Sequence, residues 1–79
     1  MIVPVEITKE ELVGDPETRN LVNGKRVVAF NLRISDKTVN LNTGQKLHYE
    51  NGIYEIMNRE PVQSTIDYLK FNCFLKDKS

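Results

Sequence analysis

Arg26-Val27-Val28-Ala29-Phe30-Asn31-Leu32-Arg33-Ile34-Ser35 decides the fold. Val28, Phe30, Leu32 and Ile34 alternate with Val27, Ala29, Asn31 and Arg33. A period of two, rich in β-branched residues, is the signature of a strand rather than a helix. One face is wholly apolar and the other ends in Asn31 and Arg33, which predicts a half-buried strand over 26–35 with Phe30, Leu32 and Ile34 inside.

A second stretch repeats the pattern near the other end. Leu69, Phe71, Cys73 and Leu75 alternate with Tyr68, Lys70, Asn72 and Phe74. Aromatic enrichment and the period favour a strand over 67–75, with Leu69, Phe71 and Cys73 inside. Val62, Ile66, Leu69 and Cys73 also fall at helical spacing, so 61–68 stays open between strand and a brief helical turn over 62–66.

Turn chemistry fills in the rest. Ile2, Val3 and Val5 to Ile7 read as a first strand, with Pro4 confining it to an edge or a strand start. Thr8-Lys9-Glu10-Glu11 matches a capping box and predicts a short helix that Gly14 stops within about two turns. Asp15-Pro16, Asn23-Gly24 and Asn42-Thr43-Gly44 mark turns. Asn51-Gly52 is a hairpin signal. As a two-residue loop it would set Tyr49 across from Tyr54.

The bulk composition narrows the function. Seventy-nine residues make one domain at most, 1–79, with a small core that association with a copy of itself or a partner protein would supplement. Cys73 is the only cysteine, so no disulfide forms within the chain. With His48 it supplies too few soft ligands for a closed zinc site, and neither a metal nor a cofactor is expected. The lone thiol, together with an apolar start too short for a signal peptide or a membrane span, points to an intracellular protein of cytoplasm or organelle matrix, away from membranes. Eleven basic residues balance eleven acidic ones, which argues against coating nucleic acid by bulk charge but permits one basic face. The four glycines are isolated turn residues, His48 reads as a surface histidine, and no nucleophile has a flanking base. Catalysis is not expected.

Gly14-Asp15-Pro16-Glu17-Thr18-Arg19, then Asn23-Gly24-Lys25, then Val28-Ala29-Phe30-Asn31-Leu32 resemble the OB-fold single-stranded DNA-binding proteins of bacteria and mitochondria. In that family a "DPE-x-R" turn precedes "NGK" and a strand patterned V-A-x-F-x-L. Asp67 to Lys76 looks like that family's third strand. The resemblance covers residues 14–34 and 67–76 and implies an all-β, β-dominated, OB-like domain with one short helix. It also implies that Tyr68 and Phe74 stack on bases. Periodicity independently puts Tyr68, Lys70, Asn72 and Phe74 on one face. Arg26, Arg33 and Lys70 are the expected phosphate contacts, and Lys25 could line the same path; solvated strand charges and rings packed under the middle segment are the bland alternatives.

The family needs a helix and two further strands beyond Lys76. Two architectures answer this: a compact small barrel that uses the 51–52 hairpin for its middle strands, or a half-barrel completed by another chain. The expected function is therefore binding of single-stranded DNA or RNA without catalysis. The competing expectation is an OB-derived interaction or regulatory subunit of a larger complex that does not itself bind nucleic acid.

Overall fold

The computed structural model describes residues 3–19, 21, 23–60 and 68–78, the last two by backbone alone. The periodic stretch at the centre of the sequence forms a strand, Val27–Arg33, and the second one forms Tyr68–Lys78. In chain order the strands are β1 (Val5–Glu6), β2 (Glu17–Thr18), β3 (Val27–Arg33), β4 (Lys46–Tyr49), β5 (Gly52–Glu60) and β6 (Tyr68–Lys78). They make one six-stranded sheet in the order β1-β4-β5-β6-β3-β2. The protein is all-β and barrel-like, with a single 3-10 turn, Lys9–Glu11, among the described residues.

The N-terminal segment closes the sheet on itself. β1 pairs in parallel with β4 at one edge, Val5 facing Leu47. Eleven residues later β2 pairs antiparallel with β3 at the other edge, Glu17 facing Ala29. Between them Ile7 donates its N–H to the His48 carbonyl at 2.9 Å, and Val13 donates to the Asn31 carbonyl at 2.8 Å. One short run of chain thus satisfies backbone groups at both edges, which would otherwise be open to pairing with other chains.

β3, β5 and β6 carry the core. β6 lies between β3 and β5, with Phe30 opposite Phe71, Val28 opposite Cys73 and Ile56 opposite Cys73 from the other side. Phe30, Leu32, Leu47, Ile56, Phe71 and Cys73 are almost fully buried, joined by Ile7, Leu12 and Leu41. Tyr49 and Tyr54 set their rings edge-on to Phe30, at centroid distances of 5.9 and 4.8 Å.

Four expectations change. Ile34 is half exposed, because β3 ends at Arg33 and the chain turns away over 35–40. Leu69 packs against the core but is only partly buried. The helix begun at Thr8 stops after three residues, although Glu11 Oε1 does accept the Thr8 N–H at 2.9 Å. Leu12 has to extend to bridge Leu32, and its burial outweighs one more helical turn. The hairpin turns one residue early: Tyr49 pairs with Gly52, Glu50 and Asn51 form the loop, and Glu50 takes the positive φ of 53°. Tyr49 and Tyr54 are therefore diagonal neighbours rather than directly opposed. Ile2, the helical turn weighed for 62–66 and Asp67 at the expected strand start lie outside the described residues.

Candidate nucleic-acid interface

The second face of β6 points away from the core, although Asn72 on it and Val27 and Ala29 beside it are buried. Tyr68, Lys70, Asn72 and Phe74 lie opposite Arg33, Asn31, Ala29 and Val27 of β3. On the other side Glu60 faces Lys70, Asn58 faces Asn72 and Glu55 faces Phe74. Tyr68 and Phe74 are six residues apart on one strand, a separation of ~20 Å. Both rings are partly exposed.

A β-bulge builds one side of this face. The register of β5 against β6 shifts between Ile56 and Asn58. Ile56 points inward, and strict alternation would send Met57 outward and Asn58 inward. The extra residue reverses this, so Asn58 and Glu60 join the outer face beside Asn72 and Lys70.

The middle of the face is a connected polar network. Asn72 Nδ2 donates to Asn58 Oδ1 at 2.9 Å and to Glu60 Oε2 at 2.7 Å. Asn31 Nδ2 donates to Glu17 Oε2 at 3.1 Å, and Lys70 Nζ lies 3.6 Å from the same oxygen. Arg19 bridges Glu17 and Glu60 at 3.6 and 3.7 Å. The Asn31 hydrogen bond, with Lys70 and Arg19 beside it, holds the Glu17 carboxyl below the usual carboxylate range. Asn31 Oδ1 and Asn72 Oδ1 are buried without a partner among the described residues.

The ends of the face differ from its middle. Lys25 Nζ stands 5.2 Å from the centroid of the Phe74 ring, close enough for a cation–π contact. Lys76 neutralises Glu55 at 3.4 Å. Arg33, across from Tyr68, donates from Nε to the Glu10 carbonyl at 3.2 Å, its one side-chain bond among the described residues. The described side chains on this face include the cations Arg19, Lys25, Arg33, Lys70 and Lys76 and the carboxylates Glu17, Glu55 and Glu60. Each of these carboxylates has a cation; of the other two cations, Lys25 stands beside the Phe74 ring and Arg33 occupies the register position across from Tyr68. Among the described side chains this face carries more cations than carboxylates, although the total charge of the chain is zero.

Of the five residues expected to bind nucleic acid, Tyr68, Lys70, Phe74 and Arg33 share this face. Arg26 does not. It lines a cleft of about 560 Å³ at the hairpin end of the inner face, with Lys9, Tyr49 and Tyr54. The signal was present in the sequence, since residue 26 has the parity of Val28 and Phe30. Lys25, weighed in the sequence as a possible phosphate contact, does reach this face beside Phe74. Arg19 and Glu17 were missed as members of the outer face, because a hairpin brings them there from outside both periodic stretches.

His48 Nδ1 lies 2.5 Å from Glu6 Oε2 across β1 and β4. Among the described residues no group of three or more histidine, cysteine, aspartate or glutamate side chains is placed to hold a metal ion, and no helix is long and apolar enough to cross a membrane. Comparison with protein-family models, with curated proteins and with solved structures finds no match to this chain.

Proposed function

We propose that the outer face of β6 binds single-stranded nucleic acid with little regard to sequence, and that the protein performs no catalysis. The placement of two cations without carboxylate partners among the described residues, Lys25 beside Phe74 and Arg33 across from Tyr68, carries this reading. Two rings along one strand, one with a cation over it and the other with a cation across the register, suit a chain of stacked bases joined by anionic phosphates. Lys70 and Arg19, already held by Glu17, can exchange that carboxylate for a phosphate at small net cost, because such exposed ion pairs are worth little. The resemblance to OB-fold single-stranded DNA-binding proteins supports the same reading, with DNA and RNA both admissible and a second copy or a partner protein extending the surface.

One observation favours a second reading, a protein-binding subunit derived from that fold. Glu17 and Glu60 occupy the centre of the face, where a long anionic strand would have to pass. Fluorescence anisotropy of a labelled poly-dT oligonucleotide at low and moderate salt separates the two. Saturable binding that weakens with added salt is expected, since bound phosphates release counterions. No binding at low salt would overturn the nucleic-acid reading and leave the protein partner.

A further inference from the structure

The cleft that holds Arg26 takes no part in that reading, and its walls combine chemistries that few ligands satisfy together. It lies between the N-terminal segment and the inner face, where β3, β4, β5 and β6 all contribute. Its volume of about 560 Å³ falls in the usual range for small-molecule sites, ~300–1,000 Å³. Arg26 and Lys9 line it, and neither has a carboxylate partner among the described residues. Tyr49 and Tyr54 supply two aromatic rings whose hydroxyls are likewise unpartnered among the described residues. Asp15 and Glu50 complete the walls.

We propose that this cleft binds a nucleotide carrying an amino-bearing base, the base against Tyr49 and Tyr54 and the phosphate on Arg26 and Lys9. A bare anion would meet Asp15 and Glu50 and gain little. A cation would meet Arg26 and Lys9. An apolar ligand would leave the four exposed charged groups at the rim, Lys9, Asp15, Arg26 and Glu50, without a role. A phosphorylated adenine, cytosine or guanine uses everything present: a π-face for the rings, an anion for the cations, and an exocyclic amine for a carboxylate to accept. Burial raises the pKa of both tyrosines, Glu50 raises both further, and Asp15 adds to Tyr49. The phenols therefore remain protonated donors at neutral pH.

Backbone amide shifts in a ¹H–¹⁵N spectrum, titrated with AMP, adenosine and UMP, test the site. AMP is expected to give saturable shifts at Arg26, Glu50 and Tyr54, with adenosine and UMP each weaker by roughly tenfold, the size of one lost charge-assisted hydrogen bond. Arg26→Gln should weaken AMP severalfold toward the level of adenosine, with Lys9 keeping part of the phosphate's contribution, and leave adenosine unchanged. Lys9→Gln, in an exposed turn, gives the same reading should Arg26→Gln disturb the fold. Absence of saturable shifts at millimolar AMP, or AMP binding unchanged in both variants, would overturn the proposal. A 5′-phosphorylated oligo-dA acting on these amides at lower concentration than AMP assigns the nucleotide to a strand end; the reverse order assigns it to the free pool. The test is independent of the outer face, because a Tyr68→Ala/Phe74→Ala variant should bind AMP as the parent does.

Discussion

The ring of Tyr54 lies across Gly52, so close that a Cβ at residue 52 would meet Tyr54 Cε1 and Oη at 2.9 Å. This contact explains why the hairpin turns one residue early. Gly52 serves in the strand, where its bare Cα lets the tyrosine fold flat, and the same placement sets the Tyr54 ring edge-on to Phe30. A glycine next to an asparagine advertised a turn, but the core had a stronger use for it.

Gly52→Ala should therefore destabilise the protein by about 1–3 kcal/mol, the usual penalty for forcing an extra carbon into a packed site. Urea denaturation measures it. Combining it with Tyr54→Leu should recover part of the loss, because the clash partner is gone, and the double-mutant cycle isolates the coupling. An unchanged midpoint in the single variant would show that the ring moves aside without cost.

Glu50 gives the opposite sign. It holds a φ of 53°, a left-handed conformation that costs an ordinary residue roughly 1–2 kcal/mol. Glycine avoids that penalty and loses part of the gain to its own entropy. Glu50→Gly should raise stability by about 0.5–1 kcal/mol, seen as a higher urea midpoint with an unchanged slope.

The two periodic stretches were legible because alternation depends only on neighbours along the chain, and both became strands with their inner residues largely as read. Closure was not. The pairing of Val5 with Leu47 and of Leu12 with Leu32 joins residues far apart in sequence, and no local pattern encodes such partners. Leu41 and Thr38 sit in a polar stretch that reads as loop, yet both are buried. On the outer face, Tyr68, Lys70 and Phe74 followed from parity alone. The bulge after Ile56, which turns Asn58 and Glu60 outward, reverses the parity on which such a reading depends.

Glu17 competes with any bound phosphate for Lys70 and Arg19, so Glu17→Gln should tighten poly-dT binding while Tyr68→Ala/Phe74→Ala abolishes it. Each ring is worth about 1–3 kcal/mol, and the circular dichroism spectrum of the double variant should stay native. Acid has a related effect on stability. The folded pKa of Glu17 lies below its unfolded value, so the stability it lends is present above the ordinary carboxylate range and is lost as pH falls through the lowered folded value. Because the side chain is 46% exposed, the loss should be only a few tenths of a kcal/mol, and Glu17→Gln should remove it. Tighter binding at neutral pH with a flatter acid limb is the combined signature; weaker binding in Glu17→Gln would count against phosphate contacts at Lys70.

Cys73 is fully buried between Val28 and Ile56, and burial pushes its thiol pKa up to about 12. Only the thiolate reacts, so the native protein should resist iodoacetamide at pH 8 and label rapidly in denaturant. In native buffer the labelling rate then reports opening of the β3–β6 pairing. Prompt native labelling would mean that this strand pair separates far more readily than its packing implies.

Thr38 organises the turn that follows β3. It is fully buried, accepts the Ser35 N–H at 2.9 Å and donates its hydroxyl to the Arg33 carbonyl at 2.6 Å. Thr38→Val keeps the shape and removes both bonds, leaving a donor and an acceptor unpaired in a part-buried turn. The expected loss is about 1–3 kcal/mol, whereas Thr38→Ser, which keeps the hydroxyl, should cost only the missing methyl, ~1 kcal/mol. Arg33 stands at the last position of β3, across from Tyr68, so loosening this turn should also displace a cation from the outer face. Thr38→Val should then weaken poly-dT binding measurably at temperatures where the variant is still folded. If it loses stability yet binds as the parent does, the turn supports the core alone and Arg33 keeps its place without it.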